Sequence, residues 1–519
     1  MCNRLIKTIY LTIFCILAVV PAIAQNVYFI SPDGSDAASG SIGSPWRSIN
    51  FATQNTQPGD TIYMRGGNYV YDEVWIKPGW GGANGLYKTL AAYPGETPVM
   101  LSQLTVNCSY LRVEGLFFQL PKSIRVVDWD SPSLHVHLMN NHFTGPQPRY
   151  GAIEFRGSYG LIEGNTIEIS GDNGESQDHG IYVMSGENNT IRKNKISGTF
   201  GYGIHLYDEL KSNDDPNVLK YIRNVVVEEN IVKNSRKRSG MIVGRQHNVR
   251  VENVIIRKNI FAGNNHVGLL IRQVDGLIEI VNNTFYNNGL QALNLGEGSA
   301  DPVVPSAKII NNIFYTTGNN CREHCDWFSE YLVDVSSGVG QIEVNRNLYL
   351  PLSDGIRGAE DVSPVSAEPM FSNPANDNFS LKAESPAIDA GIQVGLPFHS
   401  VAPDLGAIEF SENDDDANAQ NPQGFNLEQN HPNPFNLKTA INYQIFEPGK
   451  VKISIFDMSG QEITTLVNEP KNEGFYTAFW DGKNTNGDTL PSGIYFYQLK
   501  LAAETAAVSH SEKKMVLIK

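Results

Sequence analysis

Between Gln177 and Tyr207 the chain reads "QDHGIYVMSGENNTIRKNKISGTFGYGIHLY". Two near-copies of one phrase, "HGIYV" and "YGIHL", carry His179, Tyr182, His205 and Tyr207, with Asp178 just ahead of the first. Imidazoles and phenols beside one another are the side chains that move protons near neutral pH. A demanding use for such a set is β-elimination in a uronate polymer. A base removes the C5 proton, an acid protonates the departing O4, and a cation neutralises the C5 carboxylate as charge develops on it. His205 as base, Tyr207 or Tyr182 as acid, and Arg245 and Arg272 as carboxylate clamps meet all three needs, with Lys237 as the alternative base. Arg238, His179, His266 and Glu154 are the further candidates for substrate contact. The same atoms permit C5-epimerisation, in which the carbanion is reprotonated from the opposite face. Glycoside hydrolysis needs two carboxylates astride the bond instead, and Glu154, Asp178, Asp208 and Glu209 are the ones available. A non-catalytic surface that stacks sugars on its aromatic rings is the third class.

These residues can act together only if the chain stacks them. Aligned on their small residues, successive phrases read "GAIEFRG", "HGIYVMS", "YGIHLYD", "SGMIVGR", "VGLLIRQ" and "QALNLGE", from Gly151 to Glu297. Side chains alternate across a strand, so one outward column becomes Glu154, Tyr182, His205, Met241–Ile242, Leu270 and Asn294. The next becomes Arg156, Met184, Tyr207, Gly244–Arg245, Arg272 and Gly296. Neighbouring strands lie about 4.8 Å apart, which puts Tyr182 against His205 with the cationic residues one or two coils further on.

A repeat supplies the stacking. Asn141, Asn165, Asn194, Asn230, Asn259, Asn283, Asn312 and Asn347 each precede an apolar residue, at spacings of 24 to 36 residues. Between them run short alternating segments such as "VVVEENIV", "VIIRKNIF" and "IEIVNNTF", bounded by Gly, Asn or Ser. Strands this short, without intervening helical patterns, predict a parallel β-helix whose coils share one core and whose asparagines form an internal ladder. Extra residues leave the coil as loops, the longest being "DELKSNDDPNVLKY" between Tyr207 and Ile222. "SINFATQNTQ" is the one convincing helix, a cap on the first coil, and "EPMFSNPANDNFSLKAESPAIDAG" with "APDLGAIEF" closes the domain. Ser411–Gly424 is an acidic linker by composition. Beyond it "KVKISIFD", "FYTAFWDG" and "GIYFYQLK" alternate between turn residues and predict a small antiparallel sandwich. The fold expected is all-β: a right-handed parallel β-helix over 25–410, the linker 411–424, and an Ig-like sandwich over 425–519.

The formal net charge of −15 excludes a nucleic-acid binder, which needs a basic face, and restricts any anionic polymer to a local basic patch. Residues 1–24, basic and then apolar and ending "AIA", form an expected secretory signal. Its removal takes the charge to −17. No later stretch is long and apolar enough to span a bilayer. Of five cysteines, Cys2 and Cys15 leave with the signal, Cys108 is expected as a buried free thiol, and Cys321 with Cys325 can form a small disulfide. A metal site from that pair with His324 lacks a clear fourth ligand.

The opening phrases "YFISPDGSD", "GSPWRSI", "QPGDTIYMRGGNY" and "AAYPGETPV" resemble right-handed parallel β-helix proteins of the polysaccharide-lyase kind, including the family-nine pectate lyases. "SPAIDAG" followed by "DLGAIEF" is similar to the ending of many secreted bacterial β-helix proteins. After the linker, "LEQNHPNPFN", "VKISIFDMSGQEITTL", "FWDGKNTNGDTLPSGIYFYQLK" and "KKMVLIK" resemble the C-terminal sorting domain of the type IX secretion system. The resemblance covers almost the whole chain after residue 24. It implies a secreted or surface-attached protein, an acidic polysaccharide as substrate, and the type IX machinery as partner. The pectate-lyase scheme also implies a lysine base with Ca²⁺, for which Lys237 is the lysine at hand. The family's calcium-binding aspartates find no motif match here; Asp172, Asp178, Asp208 and Glu209 are the acidic residues nearby.

Overall fold

The computed structural model describes residues 26–517 apart from 73, 84, 130, 147–149, 171–177, 209–220, 246–249, 297–303, 317–330, 352–354, 399 and 412–424, and, in the C-terminal part, 428–429, 431–434, 436–438, 446–447, 458–459, 473 and 504–508. The expected signal, the linker, the loop after Asp208 and the Cys321–Cys325 pair therefore lie outside the described residues, in the linker's case all but Ser411. Among those described, no helix is long and apolar enough to cross a membrane.

From Val27 to Arg357 the strands stack in parallel as three sheets that wind around one core, a right-handed β-helix. The first sheet runs from Val27–Ile30 to Val339–Asn345, the second from Gly67–Tyr69 to Leu348–Leu350, and the third from Val74–Ile76 to Ile356–Arg357. Each coil passes through them in that order. Inward residues form continuous apolar columns. On the second sheet Phe118, Phe143, Ile167, Ile196, Val232, Phe261, Phe285, Phe314 and Tyr349 lie in register and are buried. No single coil could bury such a face alone; stacking is what removes it from water.

The asparagine ladder forms as the repeat predicts, at the bend between the first and second sheets. Each ladder asparagine donates both its backbone N–H and its Nδ2 to the Oδ1 of the next, as Asn194 does to Asn230 at 3.0 and 2.9 Å. The Nδ2 also reaches a carbonyl of the preceding coil. The run goes unbroken from Asn141 to Asn347, where Asp361 receives the last pair of donors. The residue before each ladder asparagine is left-handed; only Gly164 of those eight is glycine, and Lys193, Glu229 and Lys258 sit at φ 54–57°. That backbone strain is held by bonds that leave no buried amide unsatisfied. The bend also refines the strand reading. "VVVEENIV" is not one strand: it ends one at Glu228, turns at Glu229–Asn230, and starts another at Ile231.

The helix Ile49–Asn55 is capped by Ser48, whose side chain accepts from Phe51 N–H. The closing segment differs from an end plug. Phe371, Phe379, Leu381, Ala387 and Leu405 pack along the outer side of the second sheet, against Ile260, Ala262, Ile313 and Leu348. Cys108 is a buried free thiol, as expected. The C-terminal part, Phe425–Leu517, forms two antiparallel sheets, of three and four strands, around Tyr443, Ile453, Trp480, Tyr497 and Leu499. That is the predicted sandwich.

Candidate functional site

The third sheet carries the candidate residues. Its pairing puts Ile153, Ile181, Ile204, Met241, Leu269 and Leu293 in one inward column, and Glu154, Tyr182, His205, Ile242, Leu270 and Asn294 in the outward column beside it. The first outward column of the sequence alignment holds with two adjustments, while in the second a bulge pairs Arg156 with Ser185 instead of Met184. Ala152, not Gly151, is the small residue level with Gly180, since Gly151 pairs His179. In the next coil Ile242 faces out and Met241 faces the core. The small residues are dictated by packing: a Cβ at Gly203 would stand 2.2 Å from Val232 Cγ1, and one at Gly268 2.8 Å from the Phe285 ring.

His205 lies at the centre of an aromatic knot. Its ring stacks on Tyr182 at 4.5 Å between centroids and meets His179 edge-on at 4.1 Å. Tyr202 stands at 5.0 Å and Tyr207 at 5.4 Å. His179 Nδ1 accepts the Tyr202 backbone N–H at 3.0 Å, which leaves Nε2 as the protonated nitrogen of the neutral ring. Two glycines make room. A Cβ on Gly201 would lie 2.5 Å from His179 Nδ1, and one on Gly244 would meet the Tyr207 ring at 3.1 Å and Arg272 Cβ at 2.9 Å.

Outward does not mean exposed here. His205 is 1% exposed, and Tyr182, His179, Tyr202 and Tyr207 are all buried. Tyr202, Tyr207, Ile242, Val267, Leu270 and Leu290 form their own apolar cluster on this face. Burial pushes the His179 imidazolium pKa down to about 3, helped by the Arg238 charge. Burial also holds His205 well below the usual histidine range, reinforced by His179, Arg238 and Arg272. Both rings are neutral at neutral pH, so His205 is a proton acceptor in form.

The remaining candidates divide. Arg238 and Arg272 stand close enough to act on the histidines, and both are half-buried. Arg245 pairs with Asp208 in register, one step past the Tyr207–Gly244 pair of the expected column, and its Nε faces Asp275 at 3.5 Å. Lys237 Nζ rests over the Phe200 ring at 4.2 Å. Glu154 is buried and gripped by Arg125, Nε to Oε2 at 2.9 Å and Nη2 to Oε1 at 3.1 Å, so its carboxylate already has a partner. His266 is half-buried one coil beyond Arg238. Asp178 is fully buried; Asp172, Glu209 and the Asp208 side chain fall outside what the structure describes. Among the described residues no three of His, Cys, Asp and Glu gather as a metal-holding group. Calcium takes six to eight oxygens, and of its candidate ligands only Asp178 has a described side chain.

Sequence alignment missed the other end of the same column. Pairing continues it back from Glu154 through Arg125 and Thr105 to Trp75. Trp129 meets Trp75 edge-on at 6.1 Å, and Lys77 Nζ lies 5.1 Å from the Trp75 ring and 5.7 Å from Trp80. The signal was the pair of phrases "VWIKPGW" and "SIRVVDW", where buried Val74 and Ile76, and Ile124 and Val126, flank an outward residue. Neither phrase has the glycine on which the later coils align.

Comparison with known proteins agrees with this architecture. Residues 28–235 match the family described as Pel9A-like, right handed beta helix region, and residues 439–507 match the FlgD Ig-like domain. Pectate lyase PEL9 of Emericella nidulans is 36% identical over 89 residues, 17% of this chain and 22% of that protein. Pectate lyase L of Paenibacillus polymyxa is 45% identical over 53 residues, 10% of this chain and 12% of that protein. The chain thus spans less than a quarter of the length of either relative. The crystal structure of pectate lyase Pel9A superposes with a TM-score of 0.52 at 18% identity, over 75% of this chain and 98% of that one. The likeness to Pel9A is one of fold, in the β-helix; the Ig-like sandwich is matched separately.

Proposed function

We infer that the third-sheet face binds a uronic-acid-containing polysaccharide and cleaves it by β-elimination around His205. The observation that carries this reading is the convergence on neutral His205 of a second neutral imidazole and three tyrosines, at ring-centroid distances of 4.1–5.4 Å, with Arg238 and Arg272 alongside. His205 takes the C5 proton, and the electron pair of that C–H bond forms C4=C5. The C4–O4 bond breaks, and O4 takes its proton from Tyr182 or Tyr207. Arg238 and Arg272 hold the C5 carboxylate as negative charge builds on it. Similarity of the opening coils to two pectate lyases supports the substrate class. C5-epimerisation uses the same groups and differs only in reprotonation of C5. Hydrolysis is less well supplied, because Glu154 is committed to Arg125.

The burial of His205 favours a second reading, glycan binding without catalysis, since a buried base has to be reached before it can act. Ultraviolet absorbance separates the two. Polygalacturonate, alginate and a glycosaminoglycan are each incubated with the protein while the new C4=C5 bond is followed. A signal lost in His205→Ala and kept in Lys237→Ala supports the assignment, and the reverse assigns the base to Lys237. No signal on any polymer, with retention on a polysaccharide column, supports binding alone. We also read residues 1–24 as a signal for export and the sandwich as the element read by the type IX machinery. Deleting 425–519 is then expected to leave the β-helix inside a host that has that system.

A further inference from the structure

We propose that Trp75, Trp129 and Lys77 form a distal subsite that holds an acidic sugar of a chain whose other end lies at the His205 knot. This rests on the reading of the third sheet as a polysaccharide-binding face and extends it to the end of the column near the N-terminal helix. Trp75 and His205 belong to one outward column, five strand steps apart, or about 24 Å at the usual strand spacing. Several sugar units are needed to span that distance.

The chemistry of the three residues suits a uronate. Trp129 is 48% exposed and stands nearly perpendicular to Trp75, at 75°, so the two rings form a corner rather than a closed stack. A corner leaves a ring face open for the apolar C–H face of a pyranose. Lys77 is exposed and held over Trp75 and Trp80, and among the described residues it has no ion-pair partner. On a chain of net charge −15, an ammonium held above an indole is a local point of attraction for a carboxylate. Trp75 Nε1 is shielded from solvent and, among the described residues, has no acceptor. A buried indole N–H ordinarily finds one. Between this corner and the knot the column holds only Thr105 and the Arg125–Glu154 pair at the intervening strands.

The test uses the full-length protein with octagalacturonate, octamannuronate and trigalacturonate, read by stopped-flow tryptophan fluorescence so that binding is seen before turnover. Trp129→Ala and Lys77→Ala change exposed side chains and are compared with wild type. The expected result is that Trp129→Ala weakens an octamer about tenfold, the worth of one covered ring face. Lys77→Ala weakens it several-fold at low salt and less at high salt, and neither changes the trimer. If wild type binds an octamer and both variants match it within twofold, the subsite is refuted and the reading of the third sheet stands. Equal weakening of trimer and octamer by Trp129→Ala also refutes it, because the corner would then not be distal. If wild type binds neither octamer, both readings fall.

Discussion

Acid should loosen the knot around His205 selectively, and the size of the effect follows from its burial. In the unfolded chain a histidine titrates near 6.5. In the folded protein burial lowers His179 to about 3 and holds His205 well below 6.5. Between those values the unfolded state binds a proton that the folded state refuses, so stability falls as pH falls. At pH 4 the loss from His179 is about 3 kcal/mol, at 1.36 kcal/mol per unit. His205, 4.1 Å away, is held below the usual histidine range by the same burial and adds a loss of the same sign. Carboxylates elsewhere also titrate there, so the comparison is made against His205→Phe. That variant keeps a ring to stack on Tyr182 and Tyr207 and removes the proton. Urea unfolding of both proteins at pH 7, 5.5 and 4 gives the difference in stability. It should move in favour of His205→Phe between pH 7 and pH 4, because the variant sheds the proton uptake that burial penalises at His205. A difference that stays constant across that range, or an NMR titration of His205 near 6.5, would refute the argument.

Three other outcomes are expected. Asn230→Ala strips bonds to Ile191 O, Glu228 O and Asn259 Oδ1 and removes the acceptor for two Asn194 donors. It should cost about 4 kcal/mol in denaturant unfolding, whereas Asn224→Ala, on the exposed amide row, should cost about 0.5 kcal/mol or less. Lys88 is buried with Nζ on Thr53 O and Thr56 O, and burial lowers its pKa to about 8. The unfolded lysine holds its proton up to about 10.4, so wild-type stability should rise between pH 8 and pH 10. In Lys88→Met that rise should flatten. Gly244→Val drives a side chain into Tyr207 and Arg272; a stability loss of about 1–3 kcal/mol should come with loss of tyrosine signal in the near-ultraviolet circular dichroism.

The scaffold was legible because each of its rules is local and repeated. An asparagine that must bond the next asparagine recurs at every coil, and eight copies of one constraint are visible against any background. The glycine column is equally local, since the inward residues of the second sheet leave no space for a Cβ at Gly203 or Gly268. Strand limits were less legible. In "VVVEENIV" the alternation continues through a bend, because the left-handed turn at Glu229 is made by a residue that carries no turn signal of its own. The side-on path of the closing segment was also hidden: Phe371 and Phe379 join a cluster with Ile260, 111 to 119 residues earlier, and Ile313, 58 to 66 residues earlier.

The site was legible in direction but not in burial, and the reason is physical. Alternation along a strand says which side of its own sheet a residue faces; it does not say what lies across that side. So Tyr182, His205 and Tyr207 were placed together, but their burial had to come from the fold. The face does contain a purely apolar solution to being covered, namely Ile242, Leu270, Val267 and Leu290 one to three coils on. At His179 and His205 the chain departs from that solution. An imidazole there cannot take a proton without losing several kcal/mol of stability, and phenylalanine would stack on Tyr182 as well without that cost. Packing therefore accounts for a ring at position 205 and leaves its two nitrogens unexplained. The open corner at Trp75 and Trp129 lies on the same column, where covering stops. A polymer laid from that corner toward His205 would give those nitrogens a use, and that is the arrangement the length-dependent binding experiment examines.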